Sequence, residues 1–215
     1  MAVLKEELMG KIVVMSGCMH PDAEKTANWL EKNGNKVYRT DFDLLEEEKM
    51  AAFMKKIEEK EGKIDLLVLR NEKVVGDGSI LENHDFNEIL DLLDYNINGA
   101  VSLIDSSLPL LRKSGLKRIA LLTDRATSIN YSEDTRDYAR HLSEAALHMM
   151  EKLYFNQLRP EGFTFRCFAT GEERGGITAG EYIMNALCYD PKEPYIHSDE
   201  NRLVMRDHHY REIPW

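Results

Sequence analysis

Short, nearly continuous apolar runs alternate along the chain with longer stretches in which apolar residues recur every three or four positions. The first pattern marks strands buried on both faces, the second amphipathic helices. Lys11 to Ser16 (KIVVMS) reads as a first strand. Asp22 to Lys32 follows as a helix, with Ala23, Ala27, Trp29 and Leu30 among polar residues and Gly34 placed to end it. Lys36 to Thr40 is a second strand, and Leu44 to Lys60 a charged helix with Met50, Phe53, Met54 and Ile57 on its apolar side. Ile64 to Leu69 is a third strand. A long helix runs from near Phe86 to Arg112, with a break predicted at Gly99. Arg118 to Thr123 is a fourth strand, Asp134 to Leu158 another long helix, and Phe163 to Phe168 a fifth strand. A helix from Thr178 to Cys188 and a last strand from Arg202 to Arg206 close the series. This alternation implies βαβ units and a parallel sheet covered on both faces. No repeat or linker interrupts it, so residues 1–215 read as one α/β domain. Gly171 to Gly180 (GEERGGITAG) is the most flexible-looking segment.

Composition narrows the function classes. The net charge of -10 argues against a nucleic-acid partner, because phosphate backbones select a basic face. The apolar run Ile12 to Met15 is too short for a signal peptide, and no segment approaches the ~18 residues of a membrane span. Cys18, Cys167 and Cys188 show no CxxC spacing, and reduced thiols in a cytoplasmic protein account for them. Seven histidines include His141 and His148 on one helix, yet none forms a metal-binding motif, and no metal is expected.

Asp137 to Leu147 reads DYARHLSEAAL and resembles the YxxSKAAL helix of the short-chain dehydrogenase/reductase family. Other pieces agree in order and spacing. KIDLLVL resembles the family's IDxLVNNAG strand, YNINGA its VNLTGA element, and LRPEGFTFRCFATG its LxPxGIRVNAVAPG element. The resemblance covers nearly the whole chain and implies a Rossmann-type, doubly wound, seven-strand-like parallel sheet. It identifies the chain as a divergent member with degenerate cofactor and catalytic motifs.

The resemblance implies a dinucleotide site at the first strand–helix turn. Ser16 to Ala23 reads SGCMHPDA: Gly17 matches the first glycine, while Pro21 and Ala23 stand at the second and third. Proline lacks an N–H. Asp22 favours the helix start but repels a diphosphate. Asp41 matches the acidic residue that holds the ribose hydroxyls in NAD-binding relatives, so NAD is the cofactor if one binds. Asn71 is a remnant of the NNAG loop, here LRNE, in which the longer Arg70 and Glu72 side chains are expected to point away. Taken together, these residues predict no bound cofactor.

The family's tyrosine and lysine positions are Arg140 and Glu144. A guanidinium does not exchange protons near neutral pH, and a carboxylate raises a neighbouring phenol's pKa. The two make an i, i+4 ion pair instead. Asn96 falls on the family's active-site asparagine. The serine position falls on Thr123 or Asp124, with Ser128 usable only if the loop shifts. Tyr138 lies six residues before Glu144, roughly 600° around the helix, and faces elsewhere. Asn96, Thr123 and Tyr138 remain the candidate catalytic residues. Only Glu172 to Ile177 separates the ATG turn from the next helix, so the substrate lid is shortened.

These readings predict a catalytically inactive structural or regulatory subunit. It would associate with itself, through the long helices and the tail NRLVMRDHHYREIPW, or with an active homologous subunit. The competing expectation is an NAD(P)-dependent oxidoreductase with atypical active-site residues. A third is a binder of another small molecule in the old cleft.

Overall fold

A computed structural model describes residues 9–70, 78–81, 86–170, 175–185 and 199–215. Among these residues, seven strands form one sheet: β1 (Ile12–Met15), β2 (Lys36–Arg39), β3 (Leu66–Arg70), β4 (Arg118–Asp124), β5 (Thr164–Thr170), β6 (Met205–Arg206) and β7 (Glu212–Ile213). Their order is β2-β1-β3-β4-β5-β6-β7. The first six are parallel and β7 pairs antiparallel with β6. The tail thus supplies a strand that its apolar pattern did not announce. Beyond β1, one strand stands at the edge among the described residues, where the 3-2-1-4-5-6 order of dinucleotide-binding sheets has two.

Among the described residues, six α-helices cover the two faces: α1 (Pro21–Lys32), α2 (Glu47–Glu61), α3 (Phe86–Leu93), α4 (Gly99–Leu111), α5 (Tyr138–Leu158) and α6 (Ala179–Met184). Alternate strand residues feed opposite cores. Val14, Leu67 and Leu121 pack with Ile57 of α2, Leu103 of α4 and Phe155 of α5. Val13, Leu66 and Phe168 pack with Leu30 of α1 and Tyr182 of α6. The second core is closed at Gly180, where a Cβ would sit 2.4 Å from the Trp29 ring. Only a glycine there lets α1 and α6 approach so closely.

Several boundaries differ from the sequence expectation. The break in the long helix is a π-helical turn over Asp94–Asn98, ahead of Gly99, which is itself an ordinary helical residue packed against Leu44. The helix expected from Asp134 starts at Tyr138, because Asp137 adopts a left-handed φ of 52° and the Asp134 carboxylate accepts the Arg136 N–H. The helix near Thr178 opens with a capping box between Thr178 and Glu181 and ends at Met184, short of Cys188. Its last carbonyls are claimed by a buried guanidinium: Arg118 Nη1 donates to Ile183 O and Met184 O at 3.1 and 3.0 Å. Arg166, on the neighbouring strand, donates to Asn185 O, and both arginines share the Glu200 carboxylate. Cys188 lies outside the described residues.

Candidate functional site

The strand order reverses around β1, so a crevice opens where the chain leaves the carboxyl ends of β1 and β3 in opposite directions, the usual ligand position in such sheets. Its outer part is a cleft of about 510 Å³ whose walls include Gly17, Cys18, Asp41, Phe42, Arg70 and Tyr95. Gly17 and Asp41 are therefore brought together. Asp41 is exposed on the rim. Arg39, which lines the same cleft, is held bidentate by Glu31 of α1 at 2.8 and 2.9 Å. Burial raises the Cys18 thiol, with Arg39 opposing, which disfavours a reactive thiolate. Asn71 and Glu72 lie outside the described residues.

The diphosphate end of this cleft is committed to the protein itself. Gly17 has a φ of 68°, and a Cβ there would lie 2.3 Å from Arg70 O. The turn and the end of β3 thus account for this glycine. At the start of α1, Pro21 has no N–H, and the Asp22 N–H is already bonded to His20 Nδ1 at 3.2 Å. Asp22 stays charged: burial raises its carboxyl, but hydrogen bonds from Thr170 and Lys25 outweigh this and hold it below the ordinary value. A diphosphate at the helix start would meet this carboxylate. The helix start thus sets a carboxylate where dinucleotide-binding relatives place a diphosphate, while the Arg70 guanidinium lines the same cleft.

Arg70 corrects the sequence expectation. Its side chain points inward and is only 6% exposed. Nη1 donates to Leu122 O at 3.2 Å, and Nη2 lies 3.1 Å from His20 Nε2. A buried guanidinium must find acceptors, and the end of β4 and the α1 cap provide them. Burial and then Arg70 depress the His20 pKa, keeping that imidazole neutral.

Beyond Arg70 lies the inner site. Arg140 Nη1 on α5 is 3.5 Å from Asp124 at the end of β4 and 3.8 Å from Glu144 one turn on. The predicted pair therefore exists and gains a third member. Glu144 is 7% exposed, and burial pushes its carboxyl above the ordinary range against the pull of Arg70 and Arg140. Asn96 is buried in the π turn, its Nδ2 donating to Ser143 Oγ at 2.9 Å, while Ser143 Oγ donates to Arg140 O at 3.0 Å. The asparagine and serine of the family motif are thus joined, beneath the ion cluster.

The other candidates go elsewhere. Thr123 Oγ1 lies 2.8 Å from His148 Nε2 and 3.1 Å from Thr127 Oγ1. Tyr138 opens α5 with its ring beside Gly78. Ser128 is fully buried and donates to Pro214 O, anchoring the tail. Trp215 packs edge-on against His148, so the tail lies on its own domain. A second crevice of about 590 Å³ lies between the ends of β4 and β5 and the β6–β7 turn, with Asp124, Tyr131, Thr170 and Arg211 in its walls. Among the described residues, no cluster of three His, Cys, Asp or Glu side chains could hold a metal, and no helix is long and apolar enough to cross a membrane.

Comparison with known proteins agrees with this architecture. The curated C-signal protein of Myxococcus xanthus is 33% identical over 102 residues, which is 47% of this chain and 61% of that protein's length. The NADH-dependent reductase A1-R' complexed with NAD superposes with a TM-score of 0.66, covering 84% of this chain and 88% of that one at 15% identity. Aldohexose dehydrogenase of Thermoplasma acidophilum gives 0.67 over 76% of this chain and 67% of that one at 17% identity. Such low identities establish the fold alone. A family model described as short chain dehydrogenase matches residues 5–174, most of the chain, and the protein therefore belongs to the short-chain dehydrogenase family.

Proposed function

We propose that this chain is a member of its family without hydride-transfer chemistry, acting as a structural or regulatory subunit of a homo- or hetero-oligomer. The observation that carries the reading is the cluster Arg140–Asp124–Glu144, standing where the family's phenol, hydroxyl and ammonium would act. A permanently charged guanidinium held between two carboxyls offers no proton to a carbonyl oxygen. The proline and the Asp22 carboxylate at the diphosphate end support an unbound cofactor site. An exposed apolar stripe on α5, formed by Leu142, Met149 and Leu153, supports association. Phe86 and Leu90 of α3 extend this apolar surface. Free thiols at Cys18 and Cys167 fit a cytoplasmic setting.

A second reading, an NAD-dependent oxidoreductase with atypical residues, is favoured by the open rim cleft that joins Gly17 and Asp41. Titration with NADH and NADPH, followed by calorimetry and by Trp29 fluorescence, separates the two. No saturable binding in the micromolar range is expected. Saturable binding overturns the unbound site, and steady turnover of a carbonyl or alcohol by the purified chain overturns the whole proposal. Sedimentation analysis tests the subunit role: a strict monomer that captures no homologous dehydrogenase chain contradicts it.

A further inference from the structure

On the flank of the domain, away from the crevice, α5 and the C-terminal arm enclose a cavity of about 290 Å³. It is at the small end of the range of about 300–1,000 Å³ for ligand pockets. Ala145, Met149 and Trp215 give it apolar walls, Thr127 and His148 a polar floor, and Lys152 a charged edge. The floor is built rather than incidental. His148 is 7% exposed, its Nε2 lies 2.8 Å from Thr123 Oγ1, and its ring meets the Trp215 indole edge-on at 5.3 Å. The indole is in turn fixed from behind, since the arm is tied down by Ser128 on Pro214 O and by Asn130 on Trp215 O.

Charge singles this cavity out. The chain holds 38 acidic and 28 basic residues. None of the side chains lining the cavity is acidic, one is a lysine, and the backbone oxygen of Trp215 is taken up by Asn130 Nδ2. Lys152 is exposed, its ammonium 4.7 Å from the Phe155 ring, so it stays at the rim and in water. His148 adds no charge near neutral pH, because burial lowers it to about 4. The side chains of the cavity therefore offer an apolar body site, a neutral imidazole and a single cation at the mouth. An amphipathic anion meets all three, whereas a cation meets the lysine head-on and a neutral ligand leaves it unused.

We infer that this cavity binds a small monocarboxylate with an aromatic or aliphatic body, the body lying against Trp215, Met149 and Ala145 and the carboxylate at Lys152. The site is separate from the dinucleotide crevice and stands whether or not the protein turns over a substrate.

A head-group series tests it. 4-Phenylbutyrate, 4-phenylbutanol and 4-phenylbutylamine share one body and differ in charge. Each is titrated calorimetrically into the full chain while the Trp215 indole N–H resonance is followed by NMR. The carboxylate is expected to bind saturably, shift that resonance, and exceed the alcohol by about fivefold, the upper end for an exposed ion pair. Lys152→Gln is expected to bring the carboxylate down to the alcohol's level without altering alcohol binding. Ala145→Phe fills the cavity from an edge that is not part of the core, and is expected to abolish binding of both while the far-ultraviolet spectrum is unchanged. The inference is overturned if the amine binds as tightly as the carboxylate, or if Ala145→Phe leaves carboxylate affinity intact. It is equally overturned if sedimentation shows that self-association seals the cavity and no carboxylate enters.

Discussion

Glu151 provides the sharpest test of the energetics described above. It lies on the buried side of α5 and is 3% exposed. Neither carboxyl oxygen has a conventional hydrogen-bond partner among the described residues. The Cys167 thiol of β5 lies beside them, but a thiol is a weak donor. Burial raises the carboxyl from its ordinary 4.5 to about 8. Between those limits the folded protein keeps a proton that the unfolded chain has released. The unfolded state thus binds fewer protons, and stability falls as pH rises through the window, levelling off above the folded value. At about 1.36 kcal/mol per unit, the penalty from this one group is about 1 kcal/mol near pH 5, about 3 near pH 7 and about 5 near pH 9. Glu151→Met keeps the volume and removes the proton linkage. Urea denaturation of both proteins across this range should show the variant gaining on the parent by several kcal/mol toward alkaline pH. Parallel curves, with a difference constant to within about 1 kcal/mol, would refute the assignment of a protonated, buried carboxyl.

Two further substitutions probe the frame. Gly17→Ala forces a Cβ against Arg70 O at 2.3 Å in a left-handed turn, and is expected to destabilise by about 2–4 kcal/mol, read as a lower denaturation midpoint. An unchanged midpoint would mean that the turn relaxes freely. Asp199 is fully buried and accepts two bonds from Arg206, both at 2.8 Å, and one from the Tyr182 hydroxyl. Asp199→Asn leaves that guanidinium uncompensated, at an expected cost of about 3–5 kcal/mol, and a loss below about 1 kcal/mol would show the cluster to be solvated.

Local pattern located most of the elements because burial on both faces of a parallel strand leaves little freedom in composition. IVVM, LLVLR and RIALLTD are all interior strands, and all are nearly unbroken apolar runs. The pattern was weakest where a distant partner decides the boundary. The α5 start depends on the backbone at Asp137, and the α6 end on a guanidinium from β4. β7 is two residues long and exists only because β6 is beside it.

The site divides in the same way. The i, i+4 spacing of Arg140 and Glu144 is a helical fact, so their pairing was legible from the chain. Asp124 joins them across 16 residues, and Ser143 finds Asn96 across 47, which no local spacing encodes. Arg70 misled for the same reason. A long charged side chain after a strand is ordinarily solvated, and its burial here leans on the facing Leu122 carbonyl, the His20 ring and the Glu144 carboxyl.

By itself, then, the order of residues determined an alternating strand-and-helix architecture, its family membership, and the replacement of the proton-transfer pair. Those properties follow from periodicity and side-chain chemistry along one element at a time. Only tertiary structure decided that, among the described residues, a single strand lies beyond β1, that Arg70 turns inward, and that the arm ending in Trp215 walls a cavity over His148. Each of those depends on groups far apart in the chain sharing one desolvated space, where an unpaired polar atom costs more than a local preference can offset.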